Sequence, residues 1–163
     1  MQIIFQANDK LVELDPYLDQ GEMGVSDFQF SLEELSQYIT GRIEMRFDLN
    51  RKVSLDLFYD FAVCYEEIVE SVINVKNGFS NKKRIWFCEQ GSDFYINYEI
   101  EGKNLLLEYK KGGCVGFPNN KIEDFTVSID RSVYVSEWVN LFASIVKLFE
   151  IKLNKKINFP LGL

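Results

Sequence analysis

Residues 93–112, DFYINYEIEGKNLLLEYKKG, alternate apolar and polar side chains on both sides of a central Gly102-Lys103 pair. Successive side chains of a strand point to opposite faces, so this alternation around a glycine-containing turn predicts an antiparallel β-hairpin. The side chains predicted on its buried face are Phe94, Ile96, Tyr98, Ile100, Leu105, Leu107 and Tyr109. The chain is therefore expected to contain an antiparallel sheet with one buried face.

Four other segments have the composition of strands. They are residues 2–6 (QIIFQ), 42–47 (RIEMRF), 84–88 (RIWFC) and 125–130 (FTVSID). RIEMRF and FTVSID alternate cleanly, which is typical of strands with one buried face. A further strand at Leu11–Leu14 is an open alternative.

Helical periodicity appears in two longer stretches, where apolar residues recur at three- and four-residue steps. The first predicts a helix over about 54–76, which Asn77-Gly78 ends. The second begins at a capping Ser136 and reads SEWVNLFASIVKLFEIKL. A shorter helix is expected in SLEELSQYI, where Ser31 starts a capping-box spacing and Gly41 is the stop.

These elements predict a single α+β domain spanning residues 1–163. We expect a mostly antiparallel β-sheet of five to seven strands with two long amphipathic helices packed on it. The 163 residues are 47% hydrophobic, which is enough for a packed core. Trp86 and Trp138 are predicted to anchor that core, although either one could instead belong to an interface.

The chain contains no histidine. This removes the commonest general base, the nucleophilic triads that depend on it and most zinc sites, so we do not expect an enzyme. Cys64, Cys88 and Cys114 have no CxxC spacing, which favours a reducing compartment. The N-terminus does not resemble a signal peptide, and no apolar run is long enough to cross a bilayer. A cytoplasmic location without a membrane partner is therefore expected.

Net charge is concentrated in one segment. Residues 7–34 carry eight acidic residues against Lys10, which equals the whole net charge of −7, and the rest of the chain is neutral. Three explanations remain open: a solvated loop that aids solubility, a calcium site, or a docking surface for a basic protein. The acids lack the alternate spacing of a calcium loop, so no metal is expected. The only basic triplet is residues 82–84, so no nucleic-acid partner is expected either.

The docking explanation identifies candidate partner-binding residues. In the N-terminal segment they are Asp9, Glu13, Asp15, Asp19, Glu22 and Asp27. If this segment lies along the predicted 54–76 helix, the surface would also include Asp56, Asp60 and Glu67.

No catalytic residue and no cofactor is expected. Glu33-Glu34 and Glu66-Glu67 are sequence neighbours, which on a helix point about 100° apart and do not form a glycosidase-type pair. The loop at residues 112–116 lacks the spacing of phosphate-binding glycine loops. Cys114 in that loop has no histidine to activate it, and Cys64 is predicted to be packed.

The architecture resembles the bacterial immunity proteins of contact-dependent inhibition and polymorphic-toxin systems. The segments that carry the resemblance are the acidic N-terminal segment, the strand–helix entry GRIEMRFDLNRKVSLDLFYDFAVCYEEI, the hairpin YINYEIEGKNLLLEY and the closing helix that begins SEWVNLF. The resemblance implies a cytosolic protein that neutralises one cognate toxin, frequently a basic nuclease. The alternatives are a regulatory or structural interaction domain of a bacterial complex and, third, a histidine-free enzyme.

Overall fold

The computed structural model describes residues 1–79, 81–88, 92–114 and 119–161. Within these ranges the chain forms two antiparallel sheets flanked by helices, so the predicted α+β class is confirmed. Sheet A contains, in order, β1 (Gln2–Asp9), β2 (Ile39–Arg46) and β3 (Lys52–Asp56). Sheet B contains, in order, β4 (Lys83–Phe87), β5 (Phe94–Glu101), β6 (Asn104–Lys111) and β7 (Phe125–Asp130).

The helices are α1 (Gln20–Met23), α2 (Asp27–Ser36), α3 (Tyr65–Asn77) and α4 (Arg131–Leu148). Two π-helical turns (Leu57–Phe61 and Phe149–Leu153) and a 3-10 turn (Asn119–Lys121) connect or extend these elements. None of the helices in the described ranges is long and apolar enough to cross a membrane.

The predicted hairpin is confirmed as β5–β6. Ile96 lies opposite Tyr109, and Ile100 lies opposite Leu105, in the expected register. Gly102 has a φ of 62°, a backbone conformation that a residue without a Cβ adopts at little cost. The alternation of the two arms therefore predicted both the pairing and the buried face.

The single sheet of the prediction is wrong, because the seven described strands divide into two sheets that meet at β3 and β7. Asn119, just before β7, accepts a hydrogen bond from Ser54 N (3.1 Å) and donates one to Ser54 O (2.8 Å). The Asn119 side chain thereby pairs with the backbone amide and carbonyl of Ser54 at the edge of β3, as a neighbouring strand would. Arg51 donates to the Thr126 carbonyl at 3.0 Å, which adds a second link between the sheets.

The two predicted long helices are not confirmed. The first was expected to run from 54 to 76, but Ser54 and Asp56 belong to β3, and α3 begins only at Tyr65. Val53 and Leu55 of β3 are fully buried opposite β2. The alternation of buried and more exposed residues in this stretch therefore corresponds to a strand, although the helical spacing predicted a helix. The π-helical turn that follows is closed by Ala62 N, which donates to Leu57 O at 3.1 Å.

Other element boundaries also differ from the prediction. Ser26, not Ser31, caps α2, and Asp130, not Ser136, caps α4. Gly41 ends no helix: it lies in β2, where an added Cβ would come within 2.6 Å of the Leu57 side chain. Leu11–Leu14 is not a strand. In each case a stronger cap or a tertiary contact overrides the local signal.

One cluster of buried side chains draws on both sheets and on α2, α3 and α4. Trp138 on α4 is 1% exposed within it, as predicted for a core anchor. The same prediction for Trp86 is wrong, because this side chain is 46% exposed on β4. Cys64, predicted to be semi-buried in a helix, is buried in the turn before α3, and its thiol donates to the Trp86 carbonyl at 3.1 Å.

Candidate functional site: an acidic surface with exposed apolar side chains

The residues between β1 and α1 lie alongside the C-terminal end of α2. Lys10 N donates to Tyr38 O at 3.0 Å, Glu13 N to Gln37 O at 3.4 Å, and Asp15 N to the Gln37 side chain at 2.8 Å. These hydrogen bonds hold an irregular stretch in a defined position. We call residues 9–27, which include this stretch, the acidic surface.

Several carboxylates of the acidic surface accept hydrogen bonds from nearby groups and so stabilise local structure. Asp19 accepts from Gly21 N (2.7 Å) and Glu22 N (3.2 Å) at the start of α1, and Asp15 accepts from the Tyr17 backbone at 2.9 Å. Asp27 accepts from the Gln20 side chain at 2.7 Å. A carboxylate that caps a helix still keeps its charge, so these contacts shape the surface without neutralising it.

Two lysines from the end of the chain contact this region. Lys152 pairs with Asp9 at 2.7 Å, and Lys155 pairs with Glu34. For the remaining acids of the surface, no basic group of the described residues lies within ion-pair distance. These acids are Glu13, Asp15, Asp19, Glu22 and Asp27. The surface therefore remains strongly negative.

Large apolar side chains are exposed between these carboxylates. The exposed fractions are 86% for Leu11, 50% for Val12, 67% for Leu14, 87% for Tyr17 and 39% for Met23. A single exposed apolar residue is ordinary on a protein surface, but five within residues 11–23 make this segment a candidate interaction site. Sequence reasoning missed this feature, because it placed Leu11 and Leu14 in a candidate strand.

The structure assigns backbone contacts to the candidate residues outside the acidic surface. Asp56 caps the π-helical turn by accepting from Phe58 N at 2.8 Å. Asp60 is buried and accepts from Asp56 N at 2.8 Å, while Glu67 accepts from Trp86 N at the edge of β4 at 3.0 Å. Asp60 is buried and is therefore not available to a partner, whereas Asp56 and Glu67 keep their charge and remain predicted partner-binding residues outside the acidic surface.

The acidic surface meets α3 at one end. Phe28, directly after the surface, stacks on Tyr65 in the first turn of α3 with ring centroids 4.8 Å apart. Residues 10–15 instead lie alongside the C-terminal end of α2, as their hydrogen bonds to Gln37 and Tyr38 show. In the parts of the chain that the structure covers, no group of three or more cysteine, aspartate or glutamate side chains is arranged to hold a metal ion.

A histidine-free enzyme would need a perturbed carboxyl or lysine in a polar pocket. Burial raises the pKa of Glu33, but Glu33 does not line the cavity of about 270 Å³ between α2 and the acidic surface. The carboxylates of Glu70 and Glu108 raise the pKa of Lys83 and Lys110, respectively, which keeps these lysines protonated. Of the glycine loop, Gly112 N donates to Asp93 O at 2.6 Å, whereas Val115 and Gly116 lie outside the described residues.

The raised pKa of Glu33 predicts a pH dependence of stability. Since the folded pKa lies above the ordinary value of 4.5, ionisation of Glu33 opposes folding, and this cost appears as the pH rises through the folded pKa. Glu33→Gln is expected to raise the free energy of unfolding at neutral pH and to leave it unchanged below the ordinary carboxyl pKa. Urea unfolding at both pH values measures this.

The neighbouring Glu34→Gln is the matched control for that substitution. It removes the pair with Lys155, so it is expected to lower the free energy of unfolding at neutral pH. A neutral-pH loss of stability in Glu33→Gln as well would contradict the burial argument.

The fold and the surface together define an α+β protein with one acidic face that exposes large apolar side chains. Comparisons with protein-family models, with curated proteins and with solved structures find no match for this chain.

Proposed function

We propose that this chain is a binding protein that docks a basic protein partner on the acidic surface, and that the partner is a toxin which it neutralises. The observation that carries the proposal is the mixture of exposed Leu11, Leu14 and Tyr17 with carboxylates that form no ion pair with described residues. A segment that served only solubility would have no use for these apolar side chains, whose exposure favours association.

The two kinds of side chain would act at different stages of binding. Unpaired carboxylates attract a cationic surface over a distance of about a Debye length and raise the association rate. Apolar and aromatic side chains then lose water against the partner and slow dissociation. On a nuclease, the cationic surface would be the groove that binds nucleic acid, so occupation of that groove would block the enzyme.

The first test is capture of the partner from the native cell with the chain tagged at its C-terminus. We expect one basic protein that is retained at low salt and released by high salt. Co-expression then separates the classes of function: the partner alone should stop growth, and this chain should restore it. A partner without toxicity would favour a regulatory or structural interaction domain instead.

Charge reversal tests the acidic surface directly. Asp15→Lys, Asp19→Lys and Glu22→Lys together are expected to slow association with the captured partner at least about tenfold at low salt and to reduce its salt dependence. The matched control reverses the same number of exposed charges elsewhere, at Glu101, Glu123 and Glu150. Equal binding by the two triple variants would refute the electrostatic part of the proposal.

The apolar contribution needs its own pair of variants. Leu11→Ser, Leu14→Ser and Tyr17→Ser together are expected to accelerate dissociation without changing the salt dependence. The control changes three other exposed side chains outside the surface, by Leu49→Ser, Tyr59→Ser and Phe79→Ser. An unchanged dissociation rate in the first variant would leave the surface without its proposed anchors and would overturn this part.

A further inference from the structure

A groove of about 630 Å³ lies away from the acidic surface, between the end of α3, the β5–β6 turn and the first turns of α4. This volume is within the range of roughly 300–1,000 Å³ that is typical of small-molecule sites. The partly exposed Val135 and Val139 supply its apolar lining, and Val75 is fully buried beneath them. Val135 and Val139 are one helical turn apart on α4, so they present one continuous apolar strip beside the buried Val75.

The charged side chains of the groove are mainly cationic, although the protein as a whole is acidic. Lys76, Lys103 and Arg131 line it together with one acid, Asp130. Asp130 caps α4, where it accepts from Ser132 N at 2.7 Å and from the Ser132 hydroxyl at 2.6 Å, and its single negative charge faces three positive ones. The groove therefore has an excess of positive charge.

The three cations differ in their availability. Arg131 is engaged, because it donates to Val75 O at 2.6 Å and to Gly102 O at 3.2 Å. Lys76 and Lys103 form no salt bridge with a described residue, although Lys103 interacts electrostatically with Asp130. Two ammonium groups beside an apolar strip are thus left to meet a ligand.

We propose that this groove binds a small amphiphilic anion, with its apolar body on Val135 and Val139 and its carboxylate or sulfonate beside Lys76 and Lys103. The charge complementarity is local to the groove and opposite in sign to the acidic surface. The helix N-terminus contributes no binding group here, since Asp130 already occupies its first backbone amides. Two partly exposed valines are also too small an area for a stable protein interface, which buries about 800 Å² per partner.

The probe for this site is anilinonaphthalene sulfonate, which joins an apolar body to one anionic group and fluoresces when it leaves water. Its neutral analogue, phenylnaphthylamine, has the same apolar body without the sulfonate. Titrated into the purified full chain, the sulfonate is expected to saturate one site and to bind at least about tenfold more tightly than the neutral analogue. Octanoate should displace it.

Two variants locate the bound probe. Lys76→Glu with Lys103→Glu is expected to weaken sulfonate binding at least about tenfold and to leave the neutral analogue unaffected. Val139→Trp, which fills the groove, should weaken both probes. The charge-matched control, Lys121→Glu with Lys147→Glu, alters exposed lysines elsewhere and should bind like the unmodified chain.

The opposite pattern overturns the inference. Equal sulfonate affinity in the Lys76/Lys103 variant and in its control would show that the lysines do not hold the anion. Loss of the probe from the Leu11/Leu14/Tyr17 serine variant, with the groove intact, would place it on the acidic surface instead. Absence of saturable binding to the unmodified chain would equally reject the site. None of these readouts depends on the proposed toxin partner.

Discussion

Replacing Trp138 with alanine is expected to lower the free energy of unfolding by about 3–5 kcal/mol, the usual cost of removing a large aromatic side chain from a core. Trp138 is 1% exposed and packs beside Phe61, Tyr134 and Phe142, with ring centroids 6.2–6.5 Å apart. The substitution would leave a cavity at the centre of this aromatic cluster, which the surrounding helices and strands can close only in part. Urea unfolding monitored by circular dichroism measures the loss.

Trp86 is the natural control for this experiment. It is 46% exposed and stacks on Tyr95 at a centroid distance of 5.7 Å, so Trp86→Ala is expected to cost about 1 kcal/mol. The fluorescence of the two single-tryptophan variants, Trp86→Phe and Trp138→Phe, provides a second readout. The chain that retains Trp138 should emit at the shorter wavelength. Similar losses of stability for Trp86→Ala and Trp138→Ala would contradict the assignment of Trp138 alone to the core.

Arg131→Ala is expected to lower the free energy of unfolding by about 3 kcal/mol, since hydrogen bonds to a charged group contribute roughly 1.5–3 kcal/mol each. The guanidinium donates to Val75 O, Lys76 O and Gly102 O, and thereby holds the end of α3 and the β5–β6 turn against α4. Val75 is fully buried, so its carbonyl would lose a charged partner with limited access to water.

The conservative Arg131→Lys should recover only a small part of this stability, because an ammonium cannot reproduce the planar fork that contacts several carbonyls. Lys147→Ala, on an exposed part of α4, controls for loss of positive charge from the helix. Urea unfolding of the three variants without ligand tests the prediction. A loss of stability no larger than that of Lys147→Ala would show that Arg131 does not fasten these elements together.

Periodicity predicted the elements whose neighbours are close in sequence. The β5–β6 hairpin is correct in both register and turn, because Gly102 and the alternating arms act within one short stretch. The helix predicted over 54–76 differs from the structure in its first half, because Leu57 and Phe61 in the π-helical turn continue the helical spacing of α3 backwards towards β3. What decides between the two structures is the pairing of β3 with β2, a contact between distant residues.

The negative charge of the acidic surface was predictable from the sequence, but its tertiary contacts and its exposed apolar side chains were not. Composition alone located the net charge in residues 7–34. The pairing of Asp9 with Lys152 joins residues 143 positions apart, and no local pattern indicates it. The exposure of Leu11, Leu14 and Tyr17 could not be predicted from the sequence either, because an apolar side chain is first assigned to a core.

Sequence by itself determined the α+β class, the hairpin and the position of the excess negative charge, since each depends on residue types or on spacing along the chain. Tertiary structure decided how the seven strands of the described residues divide into two sheets, which tryptophan is buried, and which apolar side chains remain exposed. These outcomes depend on contacts between distant residues, such as Asn119 with Ser54 and Arg131 with Val75. The free energy of these tertiary contacts exceeds that of the local conformational preferences on which sequence periodicity depends.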